Sequence, residues 1–463
     1  MLAAQQMAVK QSNLEALEQR ALFSVTWNIT LNDPGELYSA YHSKLVSFAQ
    51  AAGNDWAKLL TSSNASIELQ INLVDNISTA AGDSATTVQI GQVEGLNLRE
   101  QGVTYEIRTG NDPNGVAVDA QLNINAQYMV DELYFDPGSN PASRTGSVPG
   151  NKTDAYSTIL HEFGHILAWN GFRDYSSGAL AGNDESTFDQ FVTQIATDFF
   201  FIGPRATDAY GGNVPLTHGN LYHLGNDDPR PGTDLIAQLM NGVAFFFGTK
   251  YDFSPLDIAI IQDIGLPTRT AAPLVSAQDF DYLAKPSVSW TFNAPVRWEL
   301  SIADITLTRR DSNTIIPSNN LSLAYDRGTD TARLTYTANN GILGDGDYRA
   351  TLSNAAVRDL LGNQLDQTYT LDFFVFAGDA NHDRVVDTRD FNALAGQFGG
   401  TNQNFAQGDF NYDGLVNSMD FNIFTGQYGH RLSLPAPAIA TPPIFAVAAL
   451  NSPDIKDVMG MIA

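Results

Sequence analysis

The feature that most constrains this chain is a five-residue run, His-Glu-Phe-Gly-His, at positions 161–165. The run lies within an apolar segment, residues 155–169, whose large apolar side chains recur every three or four positions. That spacing predicts a helix with one buried face. On such a helix, His161 and His165 stand one turn apart on the same side.

Two imidazoles placed in this way can share one tetrahedral zinc ion, while Glu162 points beside the metal rather than at it. Zinc in such a site acidifies a bound water, and a neighbouring carboxylate can take the proton. The motif therefore indicates a hydrolytic metal centre with His161 and His165 as ligands and Glu162 as the general base. The alternative is a core helix that carries two histidines and no metal.

Charge and composition narrow the classes of partner. The 463 residues include 51 Asp and Glu against 25 Lys and Arg, for a net charge of −26. Such an acidic chain argues against nucleic acid and anionic membranes as partners, and it fits an extracellular protein that binds divalent cations. The absence of cysteine excludes disulfides and thiolate metal sites. No apolar run reaches the roughly 18 residues of a membrane span.

The elements around the motif indicate an α+β module over residues 26–268. A helix and several strands come first, strands and a polar loop follow the motif, and a capping box at Ser254 opens a last helix. The predicted strands are residues 24–31, 66–74, 103–107, 120–124, 188–193 and 198–202, the predicted helices are 34–60, interrupted at 53–55, and 254–264, and the polar loop is 216–234.

The polar loop contains two candidates for a third zinc ligand, His218 and His223. Either side chain can supply a neutral imidazole nitrogen. The residues by themselves leave this choice open.

Residues 269–376 have a different character. Short alternating segments separated by turn residues, about seven in roughly 105 residues, predict an all-β sandwich. This region holds no catalytic constellation, so we interpret it as a spacer or interaction module.

An internal repeat follows the predicted sandwich. Residues 378–391 and 408–421 share one pattern, offset by 30 positions (409 − 379). Oxygen-bearing side chains occupy loop positions 1, 3, 5, 9 and 12, and position 7 offers a backbone carbonyl, as calcium requires. Asp- and Asn-rich turns without metal are the alternative. The predicted calcium ligands are Asp379, Asn381, Asp383, Val385, Asp387 and Asp390 in the first loop, and Asp409, Asn411, Asp413, Leu415, Asn417 and Asp420 in the second.

The two ends of the chain are predicted to lie outside the folded domains. Residues 14–24 weakly resemble the short leader of many exported bacterial proteins, so residues 1–25 are interpreted as a leader, with an ordinary exposed helix as the alternative. Residues 432–463 carry several prolines and are interpreted as a tail.

Residues 26–268 resemble zinc metallopeptidases of the metzincin kind, in particular a leishmanolysin-like branch with a long insertion before the third ligand. The match rests first on the helix motif at 161–165. The compact continuation of the metzincin motif, a Gly and then a His, is replaced here by Ala168 and Gly171. The third ligand must therefore come from further along the chain.

The later part of the resemblance points to that ligand. It implies His223 as the third zinc ligand, 58 residues after His165 (223 − 165), and Met240 as the residue beneath the metal. The match rests on the order of three runs also found in a group of secreted bacterial proteins, residues 220–226, 239–242 and 254–265.

Residues 378–430 resemble a type I dockerin, which is a pair of calcium-binding loop–helix units. The second copy fits closely, whereas the first has Arg384 at loop position 6, where Gly is usual because the chain turns sharply. A non-Gly residue there adds about 1 kcal/mol of strain. The resemblance implies calcium-dependent folding, a cohesin-like partner and an extracellular setting.

We therefore expect a multidomain protein with an α+β zincin-like metallopeptidase domain (26–268), an all-β Ig-like sandwich (269–376) and a small α-helical dockerin-like domain with paired calcium loops (377–431). The expected function is that of a bacterial zinc endopeptidase, secreted or at the cell surface, that cleaves protein or peptide substrates. Two alternatives are a calcium-dependent binding or assembly protein with an inactive metallopeptidase-like domain, and a metal-dependent hydrolase with another substrate.

Overall fold

A computed structural model describes residues 25–138 and 140–434. The protein is multidomain, with mixed α/β content and several β-sheets. The described residues form two compact units, one of residues 25–308, 315–343 and 349–373 and one of 309–314, 344–348 and 374–434. The predicted leader and tail lie outside the described residues, apart from Val25 and residues 432–434. No described helix has the length and apolar composition to cross a bilayer.

The N-terminal part of the first unit alternates strands and helices. Its strands are β1 (Val25–Asn32), β2 (Ala65–Val74), β3 (Ala80–Ser84), β4 (Thr87–Val93), β5 (Leu96–Gln101), β6 (Ala120–Asn125), β7 (Leu133–Tyr134), β8 (Thr153–Asp154), β9 (Asp184–Ser186), β10 (Val192–Ile195), β11 (Asp198–Phe201), β12 (Val214–Thr217) and β13 (Asn220–Leu224). Its helices are α1 (His42–Ala57), α2 (Gly102–Thr109), α3 (Ala126–Asp131), α4 (Ala155–Leu167), α5 (Pro204–Tyr210) and α6 (Pro255–Asp263).

A four-stranded sheet in the order β1-β2-β6-β3 forms the centre of this part. Strands β1, β2 and β6 run parallel, and β3 joins antiparallel at the edge. Strand β2 forms because Ile67, Leu69 and Ile71 alternate with polar residues and are fully buried. The predictions of strands at 66–74 and 120–124 are confirmed.

Helix α1 packs between the first strand and helix α4. At Gly53, an added Cβ would lie 2.7 Å from Nε1 of Trp27 and 2.8 Å from a ring carbon of Phe163. The missing side chain therefore lets β1 and α4 approach α1 closely. The predicted break at residues 53–55 is wrong, because this glycine serves packing inside the helix and does not end it.

Three further predictions of local structure need correction. Residues 103–107 are not a strand but lie in α2, because Val103 and Ile107, four positions apart, are both buried on one helix face. The segment 188–193 begins with a short 3₁₀ turn and becomes a strand only at Val192. Much of the predicted loop 216–234 is the antiparallel hairpin of β12 and β13.

The next region consists of two four-stranded sheets. Their orders are β14-β15-β19-β18 and β17-β16-β20-β21. Phe280 of the first sheet stacks on Phe373 of the second at 4.2 Å, so the apolar sides of the sheets face each other. The strands are β14 (Val275–Asp281), β15 (Ser287–Phe292), β16 (Ile305–Arg309), β17 (Thr314–Ile315), β18 (Leu321–Asp326), β19 (Thr331–Tyr336), β20 (Gly346–Leu352) and β21 (Tyr369–Val375).

An ion network ties the N-terminal part of the first unit to the strand region that follows it. Arg327 pairs with Asp55 at 3.1 Å and with Asp252 at 3.0 Å, and Arg297 also pairs with Asp252 at 3.1 Å. The Arg327 side chain is 11% exposed. This largely buried arginine therefore bridges two carboxylates, each of which has a second cationic partner, Lys58 for Asp55 and Arg297 for Asp252.

The second unit contains the repeat. Helix α7 (Thr388–Gly396) follows its first loop and helix α8 (Ser418–Gln427) follows the second, as predicted. Both helices begin with a capping box, which Asp387 and Asn417 head. Leu394 and Phe424 are buried on the inner faces. The similar caps show that the two copies fold alike.

Candidate metal centre and its cleft

Helix α4 brings His161 and His165 into the interior. The side chain of Asp154 caps the helix by accepting the N–H of Ser157 at 3.0 Å. All thirteen residues of the helix are buried, so the prediction of a single buried face is too narrow. His161 and His165 are only 7% and 9% exposed.

Strand β13 brings a third imidazole to the same point. The Nε2 atom of His223 lies 3.2 Å from Nε2 of His161 and 3.0 Å from Nε2 of His165, and the latter two atoms are 3.1 Å apart. The other candidate, His218, is exposed in the turn between β12 and β13 and does not belong to this group.

Backbone carbonyls set the tautomer of two of these imidazoles. Nδ1 of His161 lies 2.7 Å from the carbonyl oxygen of Leu239, and Nδ1 of His165 lies 2.7 Å from that of Trp169. A carbonyl can only accept, so each Nδ1 carries the proton. Both Nε2 lone pairs are therefore free, and they face the centre of the group.

The three histidines fit a zinc ion. With Zn–N bonds of about 2.0–2.1 Å, tetrahedral coordination separates ligand nitrogens by about 3.3 Å, close to the spacing seen here. Burial, together with the neighbouring imidazole, lowers the pKa of His161 to about 3, and burial lowers the pKa of His165 to about 4. The imidazoles are therefore neutral at pH 7, as metal ligands must be.

Glu162 lies beside this group and is held by the edge strand β3. The N–H of Gly82 donates to its Oε2 at 2.8 Å. A Cβ at Gly82 would lie 2.2 Å from the carbonyl oxygen of Glu162, so strand and helix can approach only because this residue is glycine. Without a metal, burial raises the pKa of Glu162 to about 8.

The segment 239–242 links the helix to β13. The Leu239 carbonyl orients His161, and the Met240 carbonyl accepts the N–H of Leu224 at 2.8 Å. Met240 is fully buried, and a Cβ at Gly164 would lie 2.6 Å from its sulfur. Met240 thus packs against α4 between the two histidines of the motif.

The histidine group opens into a cleft of about 610 Å³. Sequence reasoning missed several polar side chains in its wall because they come from separate elements and share no motif. Asp83 accepts a hydrogen bond from the Asn170 side chain at 3.1 Å, and burial raises the pKa of Asp83. The lining includes Ala80, Gly82, Asp83, Tyr128, Asn170, Tyr175, Tyr222, Phe245 and Phe247.

The two loops of the repeat share one hydrogen-bond pattern. Asp379 accepts the N–H groups of Asp383 and Arg384 at 3.0 and 2.7 Å, and Asp409 accepts those of Asp413 and Gly414 at 3.1 and 2.8 Å. The last carboxylates also accept backbone N–H groups of their own loop, two at Asp390 and three at Asp420. Each loop is thus shaped by its own side chains.

Within each repeat loop, the carboxylate oxygens lie further from one another than the nitrogen atoms of the histidine group do. Among the described residues, groups of at least three His, Asp or Glu ligand atoms within 4.8 Å of one another occur at His161, His165 and His223, and at Glu106, Asp112 and Asp119. The loop oxygens are instead occupied by backbone N–H groups, with the asparagine amide oxygens of position 3 among them.

The first loop departs from the second at position 6. Arg384 has φ +72°, close to the +82° of Gly414, so the strained backbone expected there is present. Its guanidinium pairs with Asp347 at 2.5 Å and lies 4.1 Å from the ring centre of Phe374. These contacts offset the strain of the left-handed backbone.

Comparison of this chain with known proteins finds only weak and partial similarity. No family model and no curated protein matches the chain. One partial likeness is to native alpha-2-macroglobulin from Escherichia coli, domains MG0-NIE-MG1, with 11% identity over 23% of this chain, 32% of that chain and a TM-score of 0.18. Another is to the N-terminal part of the bacterial S-layer protein SbsC, with 17% identity over 26% of this chain, 27% of that chain and a TM-score of 0.19. This chain spans a third or less of either structure, and likenesses this weak carry no conclusion.

Proposed function

We propose that this chain is a bacterial, secreted or cell-surface zinc endopeptidase of the metzincin kind. In this proposal a calcium-binding dockerin-like module serves for attachment, with a cohesin-like partner. The observation that carries the enzymatic part is the convergence of the Nε2 atoms of His161, His165 and His223 within 3.2 Å, with Glu162 adjacent at the cleft.

The residues take distinct roles in peptide hydrolysis. His161, His165 and His223 would hold the zinc ion, which when bound acidifies a water and polarises the scissile carbonyl. Gly82 orients the carboxylate of Glu162 through Oε2, so that Oε1 accepts the proton of the attacking water. The same oxygen then delivers the proton to the leaving amine. The cleft walls exclude bulk water and hold the peptide.

Glu162→Gln tests this assignment. The change removes the base and keeps the side-chain shape, so cleavage of denatured casein should fall by about a hundredfold or more while one zinc per chain stays bound. Cleavage is followed by peptide release, and zinc by elemental analysis after dialysis. Glu94→Gln is the matched control, since Glu94 is exposed in the turn between β4 and β5.

The outcomes separate the competing functions. Cleavage by the wild type and the control, with a zinc-loaded but inactive Glu162→Gln, supports the proposal. Zinc binding without cleavage of any substrate on a broad panel would favour a binding or assembly protein. A wild type that holds no zinc contradicts the metal centre itself.

A further inference from the structure

A second group of converging ligands lies in the N-terminal part, outside the cleft lining. One carboxylate oxygen each from Glu106, Asp112 and Asp119 lies within 4.8 Å of the others. Glu106 is on α2, Asp112 is in the loop after it, and Asp119 immediately precedes β6. Sequence reasoning overlooked this group because its members lie on three different elements.

Two of these carboxylates are buried and only half satisfied. Glu106 and Asp119 are 3% and 2% exposed. Strand β2 supplies one backbone N–H to each: Ser66 N–H donates to Oε1 of Glu106 and Glu68 N–H to Oδ2 of Asp119, both at 2.8 Å. The remaining oxygens, Oε2 of Glu106 and Oδ1 of Asp119, are buried and receive no hydrogen bond from any described residue.

Nothing cationic compensates this charge among the described residues. No Lys, Arg or His side chain pairs with Glu106, Asp112 or Asp119. Burial, with the neighbouring side chains of Glu68, Glu106 and Asp112, raises the pKa of Asp119 to about 7. Burying such a group without a counter-charge costs several kcal/mol. A bound cation would remove that cost.

The oxygen donors decide which cation fits. Calcium takes six to eight oxygen ligands at about 2.3–2.6 Å, so opposite ligands stand up to about 5 Å apart, as the spacing here allows. Magnesium demands a tighter octahedron and keeps more of its water. The amide oxygen of Asn114, in the same loop, is also buried and unpartnered, and it is a neutral donor of the kind calcium accepts.

We propose that Glu106, Asp112 and Asp119 form a structural calcium site that anchors the loop 110–119 between α2 and β6. This site is separate from the repeat loops and does not depend on the proposed peptidase activity. Calcium would bridge the two buried carboxylates and pin the exposed Asp112 to them.

Hydrogen exchange of the full-length chain tests the site locally. Adding millimolar calcium to chelator-treated protein should slow amide exchange in peptides covering residues 104–119 by about tenfold or more. Asp112→Asn, a change on the surface that leaves the core intact, should abolish this protection while the response of residues 379–390 remains. Asp131→Asn, at an exposed position of α3, is the matched control and should respond as the wild type does.

Calcium stoichiometry gives an independent readout. The double variant Glu106→Gln, Asp119→Asn should bind one calcium ion fewer per chain than the wild type. The melting temperature of its N-terminal part should be the same with and without added calcium. The proposal is overturned if the amides of residues 104–119 in the wild type exchange equally fast with and without calcium. The carboxylates would then be neutralised by bound protons and not by a metal ion. Protection by magnesium at equal concentration would overturn the choice of calcium.

Discussion

The proposed zinc centre and the proposed calcium loops of the repeat are built on opposite principles. The zinc centre joins a helix and a strand, with its third histidine 58 residues after the second (223 − 165). Each repeat loop is a dozen contiguous residues whose side chains bond to their own backbone. The geometry of a local site therefore depends on few other residues. The geometry of an assembled site depends on its frame, which here means the packed core of the first unit that positions the helix and the strand.

The largest effect should come from removing the distant histidine. His223→Ala deletes one of three ligands, and we expect zinc affinity to fall by several orders of magnitude, with loss of casein cleavage. His218→Ala should leave both intact because His218 is exposed and outside the group. Competition with a chromogenic zinc chelator measures the affinities. Equal losses in the two variants would contradict the assignment of His223.

The frame of the assembled site should be nearly as sensitive. Arg327→Ala removes the partner that Asp55 and Asp252 share and leaves the buried Asp55 with Lys58 alone, which should lower the free energy of unfolding of the first unit by about 3 kcal/mol. Arg358→Ala, at an exposed arginine, should change it little. Denaturant titration followed by tryptophan fluorescence measures the difference. A calcium-loaded repeat should show no change in either variant.

A buried carboxyl of the same frame should give a pH dependence. Asp257 completes the capping box of α6 by accepting the N–H of the N-cap residue Ser254 at 2.8 Å, and burial raises the pKa of Asp257 to about 7. Because the folded pKa lies above the unfolded value of 3.8, the neutral carboxyl stabilises the fold at low pH. That contribution is lost as pH rises from about 4 to 7, by a few kcal/mol in total.

Asp257→Asn tests this dependence. The variant should be destabilised most at pH 5 and much less at pH 8, where the wild type has already lost the contribution of the neutral acid. Unfolding free energies at the two pH values give the difference. Asp208→Asn, at an exposed residue of α5, corrects for the general effect of an Asp to Asn change. A larger destabilisation at pH 8 than at pH 5 would reverse the expected sign.

The smallest effect concerns backbone strain in the local loops. Gly414 has φ +82° and an added Cβ there meets nothing within 4 Å, so Gly414→Ala isolates the cost of a left-handed backbone. We expect a loss of about 1 kcal/mol in the stability of the second unit with calcium bound. Gly426→Ala, which also meets nothing but lies inside helix α8, should be neutral or stabilising. Thermal unfolding in calcium distinguishes the two.

Local features of the fold could be predicted from the sequence because the forces behind them act over a few residues. The helical conformation of α4, the capping box at Ser254 and the turn at Arg384 are all found where their residues predict them, although α4 is buried on every face. Prediction fails where one segment fits two patterns, as Val103 and Ile107 fit both a strand and a helix. Packing against β2 and α4 decides that this segment is a helix.

By itself, the sequence determined the two motif histidines, the acid beside them and the order of oxygen donors in the repeat loops. The residues alone left His218 and His223 open, and only the family resemblance favoured His223. The tertiary structure decided that His223 meets the motif, that Gly53 serves packing, and that Glu106, Asp112 and Asp119 converge. The physical reason is that these relations are between residues distant in sequence. Their proximity follows from the burial of the whole core, which no short stretch of the chain encodes.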